Sequence, residues 1–291
     1  MPAWFVPWEF SWVFLATFVV TSALYLCGAR RRAVPWQRRS VFWLGMLLLY
    51  LSMHTMVDYY AQHQFFIHRA QQTILHHLVP LLLMAAMPVT VLRAGLPLRW
   101  RVRLRAGSRH PVARRVAYVL GHPLLVTGLF VAVILYWLVP HVAFISMLDW
   151  RLYRLMNWSM LVTGLMYWWL VLDHRPSPPG RMRPGMRVLS PALTMTPQIV
   201  AGAIITFTRH DLYPVFEACG RVFMGLDVLT DQQWGGLITW IAAAFVEAAG
   251  AMLAFNHWVR LSARKTRAGG SLRGMTQTVP TPRLDAASSG S

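Results

Sequence analysis

The chain has 291 residues, of which 56% are hydrophobic and only 13% charged, with a formal net charge of +18. A composition this apolar excludes an ordinary soluble domain, because several runs reach the roughly 20 apolar residues that cross a bilayer as helix. The net charge invites a nucleic-acid reading, which the placement of the charges removes.

Seven spans are predicted in chain order, at about 10–28, 41–57, 73–92, 118–138, 152–172, 188–208 and 233–256. The flank of the first lacks a positive n-region, and Arg30, Arg31 and Arg32 follow the span instead, so it is expected to stay as an anchor. The sixth carries Pro191, Pro197, Thr194, Thr196 and Gln198, and must face other helices or a cavity. Residues 1–261 are expected to form the membrane domain. Residues 262–291, with Gly269, Gly270, Ser288 and Ser289, lack apolar periodicity and are expected to form a disordered basic tail.

Lys and Arg alternate between connections. The loops near 29–40, 93–115 and 173–187 and the tail after 257 hold 23 of the 28, whereas the N-terminus and the loops near 58–71, 139–154 and 209–232 hold five. This is the positive-inside pattern, with the N-terminus outside and the C-terminus cytoplasmic. Runs such as Arg99 to Arg105 then read as lipid-facing orientation signals, not a nucleic-acid surface. The fold class expected is all-α, a polytopic integral membrane protein of seven transmembrane helices. Cys27 and Cys219 fall on opposite sides and cannot pair, and no Cys-x-x-Cys occurs.

The histidines carry the chemistry. His54, His63, His68, His76 and His77 fall within 24 residues joining spans two and three. At about 100° per residue, His68, Gln72 and His76 share an arc of about 80° on one helix, while His77 points elsewhere. Pro80 cannot donate to the carbonyl of His76, which is thereby freed. His54 and Asp58 are four apart, an arrangement by which a carboxylate can orient an imidazole. Imidazoles grouped at a membrane rim need partners, so a metal, a proton relay, haem or dense packing are the alternatives. Nearby Met53, Met56, Met84 and Met87 with imidazole suit copper better than a hard ion, although methionines in a membrane chain mostly pack. The inner histidines His110, His122, His174 and His257 do not pair with the outer ones, which argues against a two-haem chain.

Asp231 stands where an N-cap of span seven belongs, followed by Gln232 and by Gly235 and Gly236 on a small-residue face. Glu247 lies deeper in that span and must be protonated or paired, with His122 or His257 as candidate partners. No nucleophile–base constellation is present, so no enzyme is expected.

Several segments resemble the CtaG family of seven-span assembly factors for caa3-type cytochrome c oxidase. They are His68 to Gln72 with Leu75 to Pro80, Met156 to Met160 with Gly164 and Trp168, Pro197 and Gln198 with Gly202, Asp211 to Pro214 with Cys219 to Arg221, and Asp231 to Gly236. The likeness covers roughly residues 40–260 in order. It implies a non-enzymatic role in the bacterial inner (plasma) membrane, with oxidase subunits and the lipid bilayer as partners and copper as the implied cofactor. His68, His76 and His77 would be ligands, His54 or His63 would complete or relay, and Asp58, Gln72, Asp231 and Gln232 would orient. The family pattern carries histidine where this chain has Gln72, and Glu247 also departs from it. A metal-independent scaffold and a seven-helix transporter with Glu247 and Gln198 on its path are the alternatives.

Overall fold

The structure is a computed structural model that describes Pro7 and residues 10–173, 175, 180–223 and 225–277, with 264–277 as backbone alone. The fold is all-α. Among the described residues the one β contact is an isolated bridge between Pro7 and Thr55.

The helices run in chain order as α1 (Trp12–Arg31), α2 (Trp36–His54), α3 (Met56–His63), α4 (Phe65–Thr73), a π-helical turn (Ile74–Leu78), α5 (Val79–Ala85) and α6 (Pro88–Gly95). They continue as α7 (Leu98–Arg109), α8 (Pro111–Leu120), α9 (Pro123–Leu138), α10 (Pro140–Leu148), α11 (Trp150–Val171), α12 (Pro184–Phe207) and α13 (Val215–Ala218). The last are α14 (Val228–Leu237), a second π turn (Ile238–Ala242) and α15 (Ala243–Gln277). The helix of α15 continues into the segment expected as a tail, and residues 278–291 lie outside the described part, as do His174 and Glu9.

Three continuous helices, Trp12–Arg31, Pro184–Phe207 and Val228–Ala263, are long and apolar enough to cross a membrane, and two bent pairs reach that length if each is one crossing. The bends correct two expected spans. The run at 73–92 is not one straight helix: the chain turns by 70° between Phe65–Ala85 and α6. Met87 makes the corner with a left-handed φ of 53°, unusual for a side chain with a Cβ, and Pro88 restarts the helix at its first position. The run at 118–138 likewise breaks at Gly121 and His122, where α8 and α9 meet at 56°.

Span six is continuous. Pro191 and Pro197, which would ordinarily break a helix, lie inside one continuous helix of 24 residues. The prolines leave only the carbonyls of Arg187 and Leu193 without their usual N–H donor, and the helix runs on through both.

Close approaches of backbone set the packing. A Cβ at Gly28 would overlap the carbonyl of Val91, and one at Gly95 that of Leu24, so α1 and α6 touch through their glycines. The helix from Phe65 to Ala85 sits against α2, α11 and the α14–α15 helix, and nearly every polar side chain it carries is buried.

Candidate functional site

The polar side chains of the central helix form three groups along its axis. The first is at the Phe65 end. Gln64 gives α4 no side-chain cap, and the open N–H groups of Phe65 and Phe66 donate instead to Asp231, at 3.1 and 2.8 Å. The expected role of Asp231 is thereby corrected. Asp227 caps its own helix, accepting from the N–H of Leu229, while Asp231 caps a helix far away in sequence and holds Arg221 at 2.8 Å. Gln232 ties down the chain after α12, accepting from the N–H of Leu212 and donating to the carbonyl of His210. Gly235 and Gly236 permit this contact, since a Cβ on either would collide with Phe65 or Thr206.

The second group surrounds Asp58. Its carboxylate accepts from Gln71 at 2.6 Å and from the Tyr153 hydroxyl at 2.9 Å. It does not orient His54. The chain breaks at Thr55, which caps α3, so His54 and Asp58 belong to different helices and the four-residue register is lost. His54 instead packs its ring between Phe14 and Tyr50, with centroids at 5.4 and 5.3 Å. Gln72 donates to Asn157 at 2.8 Å, so its amide cross-links the central helix to α11.

The third group lies at the π turn, roughly 18 Å along the helix from Phe65. His76 and His77 are both 0% exposed, inside the bundle and not at its rim. The Nε2 atom of His77 is 3.1 Å from Glu247, which also accepts from Gln198 at 2.7 Å and from Thr194 at 3.1 Å. Tyr167 extends the group to Ser190. Glu247 thus pairs with His77, and not with His122 or His257. His76 stacks on Phe130 at 4.1 Å, and both its ring nitrogens lack partners among the described residues. Its carbonyl, which Pro80 cannot bond, faces Gly164, where a Cβ would collide with it. Consecutive side chains diverge by about 100°, so His76 meets Phe130 of α9 while His77 reaches Glu247 of α15.

The five candidate ligands therefore do not share one place. His54 lies against α1, and His63 holds the carbonyl of Tyr59 at 2.8 Å. His68 lies near Tyr153 and Phe216, and only His76 and His77 are neighbours, with rings 4.8 Å apart. Among the described residues no three His, Cys, Asp or Glu side chains form a group able to hold a metal ion. Copper needs several soft donors at once, and this donor arrangement does not fit a shared copper site.

Arg69 was hidden from sequence reasoning, being counted with an outer loop. It is 1% exposed, and its Nε donates to Thr239 in the second π turn at 2.9 Å. The signal was available, since Arg69 lies one residue from His68 on a helix that begins at Phe65. Tyr153, Asn157 and Gln71 were also not singled out, because each acts through a partner distant in sequence.

These features define a class: an all-α membrane protein whose central helix is locked to its neighbours by buried polar bonds. The family model for the cytochrome c oxidase caa3 assembly factor (Caa3_CtaG) matches residues 23–261, and the chain belongs to that family. It is an assembly factor and not an enzyme. No curated protein and no solved structure matches the chain.

Proposed function

We propose that this protein crosses the bacterial inner membrane seven times, with the N-terminus outside and the C-terminus in the cytoplasm, and acts as a rigid scaffold for a subunit of a caa3-type oxidase. The contact between His77 and Glu247 supports the scaffold reading most directly. An imidazole spent on an internal carboxylate stiffens the bundle and is not free to carry an ion. Asp58, Asp231 and Gln72 are likewise spent on helix-to-helix bonds.

One observation favours a copper-handling role as the second reading. His76 keeps two unpartnered nitrogens beside His77, so a donor set completed by the client protein is chemically reasonable. Spectra of the oxidase in cells, taken beside copper analysis of the purified protein, separate the two. The scaffold reading expects assembly to survive His76→Gln and to fail with Gly235→Leu. Loss of assembly together with copper in His76→Gln would reject it. Uptake of a solute by proteoliposomes, lost in Glu247→Gln, would favour a transporter instead.

A further inference from the structure

The end of the bundle away from Asp231 carries a site of different chemistry. Neither α7 nor α8 buries a residue, and α8 swings away from α9 at the elbow of Gly121 and His122. At about 100° per residue, Val112, Val116, Val119 and Leu120 fall on one side of α8, and Arg114, Arg115 and Tyr118 on the other. The apolar side is open, with Val112 62% and Leu120 50% exposed. A helix of this kind lies in the interfacial layer with its apolar stripe against acyl chains.

The polar side borders a recess of about 570 Å³ lined by Ser108, Arg114, Arg115, Tyr118 and Arg181. Arg181 arrives from the segment before α12 and is held over the recess. Its Nη1 donates to the carbonyl of Tyr118 at 3.2 Å, and it lies where a Cβ at Gly121 would be. Guanidinium groups from two separate parts of the chain therefore line one hollow.

The local charge is uncompensated. Residues 93–122 carry eight Arg and no acid, and residues 173–187 carry four Arg and only Asp173. That single carboxylate is engaged by Arg175 at 2.9 Å. Among the described residues, neither Arg114 nor Arg115 has a carboxylate partner. Arginine forks suit phosphate oxygens, and an apolar stripe beside them suits the attached chains.

We infer that the recess between α8 and Arg181 binds the phosphate of an anionic phospholipid, with Arg114, Arg115 and Arg181 holding the headgroup and Val112, Val116 and Leu120 flanking its acyl chains. Such a lipid would brace the elbow between α8 and α9 against the segment that starts α12.

The test titrates the detergent-purified full chain with short-chain phosphatidylglycerol, with phosphatidylcholine of equal chain length, and with inorganic phosphate, read by native mass spectrometry and thermal shift. Phosphatidylglycerol is expected to bind and phosphatidylcholine not to. Replacing Arg114→Gln, Arg115→Gln and Arg181→Gln together is expected to weaken binding on the order of a hundredfold. Removing three charges outside the recess, by Arg99→Gln, Arg101→Gln and Arg103→Gln, should change it by less than about threefold if contact and not diffuse attraction holds the lipid. Gly121→Ala, which displaces the Arg181 guanidinium without altering charge, is a second variant and should weaken binding about tenfold. Equal losses in the two triple variants, or none in the first and none in Gly121→Ala, would overturn the site. Inorganic phosphate binding as tightly as the lipid would overturn the lipid assignment.

Discussion

The imidazole of His77 and the carboxylate of Glu247 lie 3.1 Å apart in the interior of the bundle, although 170 residues separate them. This contact joins the π turn of the central helix to α15. Through Thr194 and Gln198 it also draws in α12, so one carboxylate fixes three helices.

Truncating that carboxylate has a definite expected cost. Glu247→Ala leaves His77, Gln198 and Thr194 without their acceptor and should destabilise the protein by about 3–5 kcal/mol, whereas Glu247→Gln, which can still accept, should cost about 1 kcal/mol. A double-mutant cycle with His77→Ala should show a coupling of at least about 1 kcal/mol. Thermal unfolding in detergent measures all of these. Strictly additive losses would mean that the pair contributes nothing as a pair.

The two aspartates of α14 should differ in an order that sequence alone would reverse. Asp227→Ala removes an ordinary exposed cap and should cost about 1 kcal/mol. Asp231→Ala strips two N–H groups of α4 and leaves Arg221 unpaired, so a loss of about 2–3 kcal/mol is expected. Denaturation of both variants under the same conditions decides the ranking, and a larger loss for Asp227→Ala would contradict the cross-helix cap.

Cys219 offers a test that combines pH and topology. Burial pushes its thiol up from the usual range, so at any given pH less thiolate is present than on a free cysteine. In a Cys27→Ser background, alkylation by a membrane-impermeant iodoacetamide should accelerate only at higher pH than for a cysteine peptide. Labelling should occur from the periplasmic side of intact spheroplasts. A rate profile matching the free peptide would remove the burial argument, and labelling confined to inverted vesicles would reverse the proposed orientation.

The existence of the helices was legible because apolar runs and their periodicity are local properties. The runs at 10–28, 152–172 and 188–208 correspond to α1, α11 and α12 within a few residues. The small-residue face at Gly235 and Gly236 was legible too, since close helix contact leaves only glycine as a choice. The bends were less so. The corner at Met87 rests on a left-handed residue that composition does not mark, and Thr55 breaks a helix whose apolar pattern reads through it.

The candidate site divides along the same line. Sequence by itself determined that this is a helical membrane chain, that imidazoles and carboxylates are concentrated on its central and last helices, and that buried polar groups there must find partners. Only the tertiary structure decided which partners: Glu247 takes His77, Asp231 takes the N-terminus of α4, Asp58 takes Tyr153 and Gln71, and the five histidines do not converge on one site. The physical reason is that burial demands a hydrogen bond but does not name its donor. Helix direction, a break or a π turn rotates each side chain, and a shift of one residue moves it by about 100° to a different neighbour.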